Sequence, residues 1–69
     1  MKKLKYPELL GEMAKNGDTQ RSLATILGIT YSSVSRRMTG RSKFTIDEID
    51  KICKHYNKSY DELFKKKED

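Results

Sequence analysis

Cysteine, proline and tryptophan are scarce in this sequence. It has one cysteine, Cys53, one proline, Pro7, and no tryptophan. A single cysteine cannot form a disulfide within the chain, which excludes a disulfide-stapled domain and is compatible with a reducing compartment. Together with one histidine, His55, it also supplies too few soft ligands for an ordinary zinc site. We expect Cys53 to be a small buried hydrophobic residue and His55 to lie on the surface.

Long apolar runs and catalytic motifs are lacking as well. No run approaches the roughly 20 apolar residues that cross a bilayer, and the basic start of the chain has no apolar stretch typical of a secretory signal. There is no glycine-rich phosphate loop, nucleophile motif or ligand cluster. We therefore expect a single domain, residues 1–69, that is soluble and cytoplasmic and is not an enzyme, with no cofactor, metal or small-molecule substrate.

Acidic residues are missing from about two fifths of the chain. The formal net charge is +5, and none of the ten Asp and Glu residues lies between Thr19 and Ile46. That window is purely basic, and its charged members are Arg21, Arg36, Arg37, Arg41 and Lys43. A surface that faces phosphates has this charge pattern.

The apolar residues that are present recur at the period of a helix. No stretch alternates between apolar and polar residues in the way typical of a strand. We predict an all-α fold of five helices, at about residues 6–16, 20–27, 31–38, 46–56 and 60–65. Gly17, Gly28 and Asn57 are expected to end helices in the left-handed conformation. Thr19 and Thr30 are expected N-caps, and capping boxes are expected at Thr45 with Glu48 and at Ser59 with Glu62.

The predicted core follows the same repeat. The fourth helix carries a ladder of Ile46, Ile49, Ile52, Cys53 and Tyr56. In the third helix, Val34 and Met38 face the core, which leaves a polar face. We expect Arg21 to be solvated and the run Lys65 to Lys67 to be a frayed tail.

Residues 19–40, TQRSLATILGITYSSVSRRMTG, contain two short helices joined by a glycine turn, with the small Ala24 at their crossing. This segment resembles the Cro/C1-type, lambda-repressor-like or XRE-type, helix-turn-helix family. The similarity rests on Thr19-Gln20, Leu23-Ala24, Leu27-Gly28-Ile29, Ser32, Val34-Ser35-Arg36 and Gly40. It continues through Thr45-Ile46-Asp47, Ile49, Ile52, Asn57 and the closing run Ser59 to Phe64, so that it covers residues 6–64.

The resemblance implies that the third helix enters the major groove of double-stranded DNA. The positions that would read bases are Tyr31, Ser32, Ser33 and Arg36. The positions that would contact phosphates are Gln20, Thr30, Ser35, Arg37, Arg41 and Lys43. Arg36 is expected to form a bidentate pair with guanine.

The function expected from this resemblance is sequence-specific transcription regulation. A chain of this length leaves no room for a separate effector domain, which favours a Cro-like phage or prophage repressor. We expect a homodimer, at least on DNA, on a pseudo-palindromic operator. Tyr60, Leu63 and Phe64 would either form the dimer interface or close the core. Two alternatives stay open: an antirepressor or modulator that binds a protein partner, and the antitoxin of a toxin–antitoxin pair.

Overall fold

The computed structural model describes residues 5–64, and within this range the chain is helical with no strand. The helices are α1 (Pro7–Lys15), α2 (Gln20–Leu27), α3 (Tyr31–Met38), α4 (Ile46–Tyr56) and α5 (Tyr60–Phe64). The all-α, lambda-repressor-like fold class is confirmed. Relative to the predicted bounds, α1 is one residue shorter at each end. Residue 65 of the last predicted helix and the run Lys65 to Lys67 lie outside the described residues.

The helix ends follow the predicted local chemistry. The side chains of Thr19, Thr30 and Thr45 each accept a hydrogen bond from the backbone N–H three residues on, and Glu48 completes its capping box. The second box joins Ser59 and Glu62 by bonds of 2.7 and 3.2 Å. Gly17, Gly28 and Asn57 have φ of 71°, 70° and 56°, in the left-handed region. Helices α2 to α5 therefore start at a side-chain cap, and α1, α2 and α4 end just before a left-handed residue, whereas α1 starts at Pro7 without a side-chain cap.

The core lies where all five helices meet. Leu9 of α1, Leu23 of α2, Val34 and Met38 of α3, and Ile52 of α4 have no exposed surface. Leu63 and Phe64 are also buried, so they close the core, whereas Tyr60 is 53% exposed and stacks on Phe64. Of the two roles considered for α5, core closure is therefore observed for its last two residues.

An aromatic cluster joins three distant parts of the chain. Tyr6, Phe44 and Phe64 meet edge to face, with ring centroids 5.4 to 5.6 Å apart. Phe44 is buried although it belongs to the loop between α3 and α4. This contact fixes the loop against the beginning of α1 and the end of α5, a geometry favoured by aromatic pairs.

The predicted ladder of α4 is wrong at its first member. Ile46 is 84% exposed, whereas Ile52 and Tyr56 are buried and Ile49 and Cys53 pack partly against the core. In the first turn of α4 the buried residue is Glu48, so the inward side of that turn is taken by a carboxylate and Ile46 faces outward.

Candidate nucleic-acid interface

One side of helix α3 is buried in the core, and the opposite side is exposed to solvent. Val34 and Met38 are fully buried, while Tyr31, Ser32 and Arg36 are exposed, with Tyr31 at 46%. Residues four apart share a helix face, so Ser32 and Arg36 are neighbours on the outer side of α3. The exposed face has only polar and basic groups and the tyrosine ring.

The cap of α3 is linked to its outer face by a chain of side chains. The Thr30 hydroxyl accepts a bond from the Ser33 N–H at 3.1 Å and donates to Ser33 Oγ at 3.0 Å. Arg36 Nη2 donates to the same Ser33 Oγ at 3.4 Å. Ser33 accepts both of these bonds, which leaves its hydroxyl proton as the group able to reach a base.

A side chain near the start of α2 reaches the first residue of α3. Thr19 caps α2, and Gln20, half-buried, is its first residue. The guanidinium carbon of Arg21 lies 4.8 Å from the centroid of the Tyr31 ring. Arg21 is exposed, as expected, and its side chain also makes a cation–π contact with the first residue of α3.

The loop after α3 folds back on that helix. The N–H groups of Arg41 and Ser42 both donate to the carbonyl of Arg36, at 2.8 and 3.2 Å, and Gly40 has φ of 86°. Arg41 and Lys43 are exposed in this loop. Two cations thus lie just beyond the carboxyl end of α3.

Arg37 points away from the exposed face. Its Nε donates to Glu48 Oε1 at 2.6 Å and its Nη1 donates to the Ser33 carbonyl at 3.2 Å. The two side chains of this ion pair are only 17% and 11% exposed. Arg37 therefore ties α3 to the capping box of α4, and its predicted phosphate contact, which stays a prediction, would have to compete with that bond.

Asp18 holds the approach to α2 against α4. Its Oδ2 accepts a bond from the Tyr56 hydroxyl at 2.8 Å and lies 3.2 Å from Nε2 of His55, which is exposed, as expected. The bond from Tyr56 lowers the pKa of Asp18, and the contact with His55 lowers it further. Burial, followed by the same hydrogen bond, raises the pKa of Tyr56.

Other chemistry is sparse in the described part. Residues 5–64 contain no group of three or more His, Cys, Asp or Glu side chains placed to hold a metal ion. Burial, with a smaller effect of Asp50, raises the pKa of Cys53, which disfavours a reactive thiolate. In the same range, none of the helices has the length and apolar character that crossing a membrane requires.

Comparison with protein families matches residues 12–63, more than half of the chain, to the helix-turn-helix family. The chain belongs to the Cro/C1-type helix-turn-helix family. This helix-turn-helix protein is therefore a DNA-binding transcriptional regulator. Neither a search of the curated proteins nor a search of the solved structures found a significant match.

In this helix-turn-helix protein, α2, the turn at Gly28 and α3 form the motif itself. Of the predicted base-reading residues, Tyr31, Ser32 and Arg36 are exposed and Ser33 is half-buried. Among the predicted phosphate contacts, Thr30, Arg41 and Lys43 are exposed, whereas Gln20, Ser35 and Arg37 are half-buried. The DNA roles of all ten stay predictions.

Sequence reasoning missed two side chains near this interface, Arg21 and Glu48. The sequence predicts an exposed Arg21, which is observed, but the reach of its side chain to the Tyr31 ring depends on how α2 and α3 cross. For Glu48, the sequence predicts only the capping box of α4. Its bond to Arg37 spans 11 residues and has no signature in the sequence.

Proposed function

We propose that this protein is a Cro-like phage or prophage repressor that inserts α3 into the major groove of its operator. The observation that carries the proposal is the outer face of α3, where Ser32, Arg36 and the Tyr31 ring stand exposed while Val34 and Met38 anchor the helix. The major groove admits a helix and presents a distinct pattern of donors and acceptors for each base pair.

Base reading is assigned to Tyr31, Ser32, Ser33 and Arg36. Arg36 has the planar fork that pairs with guanine O6 and N7. Its hydrogen bond to Ser33 is long, at 3.4 Å, so exchanging it for a base costs little. Tyr31 offers an apolar ring for a thymine methyl group and a hydroxyl for a phosphate.

Positioning on the backbone is assigned to the residues around α3. They are Gln20, Thr30, Ser35, Arg37, Arg41 and Lys43. Contacts of this kind set the register of the protein on DNA without reading sequence. Since Arg37 is already held by Glu48, we expect it to contribute least among the three cations of this set.

A homodimer on a pseudo-palindromic operator follows from the small size of one interface. Half-sites lie about 34–36 Å apart on one side of the duplex. The molecule measures 33 × 29 × 23 Å along its principal axes, so two protomers at that spacing are adjacent. Repression then follows from occupation of the operator, because within residues 5–64 every helix belongs to the DNA-binding fold.

Selection of sites from random duplex DNA tests the assignment. Arg36→Ala is expected to relax preference at one base position and to lose about 1–3 kcal/mol of binding free energy. Arg41→Ala, which removes an exposed arginine from the loop, is the matched control and should weaken all sequences about equally. If both variants keep the wild-type preference at every position, the assignment of Arg36 is wrong.

Two further measurements test the rest of the proposal. Titration of the selected duplex should saturate at two protomers per operator, and one protomer at saturation would contradict the dimer. A reporter placed behind the selected operator should be repressed when the protein is expressed. Absence of duplex affinity at about 50 mM salt would favour a protein-binding antirepressor instead, since phosphate contacts are strongest at low salt.

A further inference from the structure

Arg21 lies near the beginning of α2, and its side chain reaches the first residue of α3. It is the second residue of α2 and is exposed, and its guanidinium carbon lies 4.8 Å from the centroid of the Tyr31 ring. The contact therefore joins the helix assigned to phosphate contact and the first residue of the helix assigned to base reading.

Arg21 is paired with a ring and not with an acid. It has no acidic partner within 4.0 Å in the described range, and no acid lies between Thr19 and Ile46. The closest carboxylate along the chain on the amino-terminal side, that of Asp18, is bound to Tyr56 and faces His55. Among the described residues, no neighbouring carboxylate therefore neutralises the charge of Arg21.

A guanidinium that stacks on a ring keeps its hydrogen-bond donors. The five N–H groups lie in the guanidinium plane and point outward from its edge, so stacking covers the face and leaves the edge free. A tyrosine that is 46% exposed, with one ring face covered, still presents its hydroxyl and the rest of its surface. The pair can thus contact DNA through both members at once.

From these contacts we infer that Arg21 is a specificity-determining partner of Tyr31. It holds the ring at the entrance of the major groove and donates to the backbone phosphate beside the base pair that Tyr31 contacts. This inference rests on the proposed function, and it adds to it a positioning residue in α2. Because Arg21 already fixes the Tyr31 ring in the free protein, less conformational entropy is lost when the complex forms.

Two properties separate this role from that of an ordinary phosphate contact. The first is base preference, since a phosphate contact alone weakens all sequences alike. The second is dependence on the ring, because residues that act as a unit have non-additive effects. Both can be measured with substitutions at two positions.

The experiment uses the selected operator and a set of duplexes that vary each base pair in turn. The proteins are the wild type, Arg21→Ala, Arg21→Lys, Tyr31→Ala, the Arg21→Ala/Tyr31→Ala double variant, and Arg41→Ala as the control. Arg21→Ala should weaken preference at one base position by about two- to fivefold, the range expected for an exposed cation–π contact. In the Tyr31→Ala background, the same change should leave the remaining preference unaltered.

The Arg21→Lys variant separates the contribution of the positive charge from that of stacking on the ring. Arg21→Lys keeps the positive charge and should keep the wild-type salt dependence, whereas Arg21→Ala should reduce the log–log slope by about 0.9. Arg21→Lys should recover less than half of the lost preference, because the ammonium has no planar face to stack. Arg41→Ala should lower the slope in the same way and leave every preference unchanged.

The outcomes separate the inference from the proposed function. If Arg36→Ala relaxes preference but Arg21→Ala leaves all preferences intact, the proposed function stands and the inference is overturned. Equal effects of Arg21→Ala with and without the Tyr31 ring would also overturn it. If the wild-type protein binds no duplex, the proposed function and the inference on Arg21 are both wrong. In the free protein, the Arg21 side-chain proton resonances should move downfield in Tyr31→Ala, and unchanged resonances would contradict the stack itself.

Discussion

At the scale of single residues, Glu48 couples the ends of two helices. One oxygen, Oε1, accepts bonds from the Thr45 N–H at 3.0 Å and from Arg37 Nε at 2.6 Å. Both members of the ion pair are largely shielded from water, so solvent cannot fully replace a lost partner. The same carboxylate therefore starts α4 and holds the end of α3.

Replacing Glu48 by alanine should lower the free energy of unfolding by about 3 kcal/mol, because it strands the Arg37 charge and removes half of a capping box. Urea unfolding measures the change. Asp50→Ala is the control, since Asp50 pairs with Lys54 at the surface, with side chains 59% and 78% exposed. That variant should lose less than about 0.5 kcal/mol. Equal losses of unfolding free energy in the two variants would show that Glu48 contributes no more than an ordinary surface charge.

Asp18 makes the stability of the protein sensitive to acid. Its pKa lies below the ordinary value of 3.8, with the hydrogen bond from Tyr56 as the main cause. A carboxyl group of this kind stabilises the folded state fully above its unfolded pKa. The contribution is then lost as the pH falls through the lower, folded pKa, because the unfolded chain binds the proton more readily.

Tyr56→Phe should therefore raise the pKa of Asp18 towards 3.8 and remove part of the acid-dependent loss of stability. Nuclear magnetic resonance titration of the Asp18 carboxyl group measures the shift. His55→Gln should raise the pKa less, because the His55 contact is a smaller cause than the Tyr56 bond. A titration midpoint that does not move in Tyr56→Phe would show that the hydrogen bond is not formed in solution.

At the scale of elements, the turn between α2 and α3 depends on one backbone conformation. Gly28 has φ of 70°, and its N–H closes the end of α2 on the Thr25 carbonyl at 3.3 Å. A side chain is disfavoured there even though a Cβ would meet no atom within 4 Å, because the strain is in the backbone itself. The crossing of α2 and α3 follows from this turn.

Gly28→Ala should lower the free energy of unfolding by about 1–2 kcal/mol, the cost of alanine in the left-handed region. Gly11→Ala is the matched control, because Gly11 lies inside α1, has no positive φ and faces open space. It should raise stability by about 0.5–1 kcal/mol through helix propensity. Thermal unfolding of both variants checks that stability falls in Gly28→Ala and rises in Gly11→Ala. A change of the same sign in both would contradict backbone strain at Gly28 as the cause.

At the scale of the whole molecule, charge is segregated. The acid-free segment from Thr19 to Ile46 contains α2, α3 and the loop that carries Arg41 and Lys43. Among the residues that the structure describes, one carboxylate from outside this segment, that of Glu48, pairs with one of its cations, Arg37. Within residues 5–64, the exposed cations of the segment form no ion pair; they are Arg21, Arg36, Arg41 and Lys43.

Binding to the selected duplex should weaken steeply with salt, with a log–log slope near −4 or steeper if about five phosphates are contacted. The Arg41→Ala/Lys43→Ala double variant should reduce the magnitude of the slope by about 1.8, since two contacts are removed. Lys54→Ala removes an exposed cation of α4 that is outside the segment and should leave the slope unchanged. A wild-type slope in the double variant would show that Arg41 and Lys43 do not contact the DNA phosphates.

The ends of the helices and most of the core could be predicted from the sequence because the interactions that set them are short in range. The caps at Thr19, Thr30 and Thr45 each join residues three apart, and Val34 and Met38 repeat at the helical period. The family resemblance was likewise visible in local motifs and is confirmed. The predicted site residues came from that resemblance, and their DNA roles stay predictions.

The tertiary structure decided what depends on how the helices cross. It turned Ile46 outward and Glu48 inward in the same turn, buried the loop residue Phe44 between Tyr6 and Phe64, and set Arg21 on the Tyr31 ring. The partners in these contacts are far apart in sequence, by up to 58 residues in the case of Tyr6 and Phe64. Local propensity and periodicity fix which face of a helix is apolar, but only packing determines which side chain meets which.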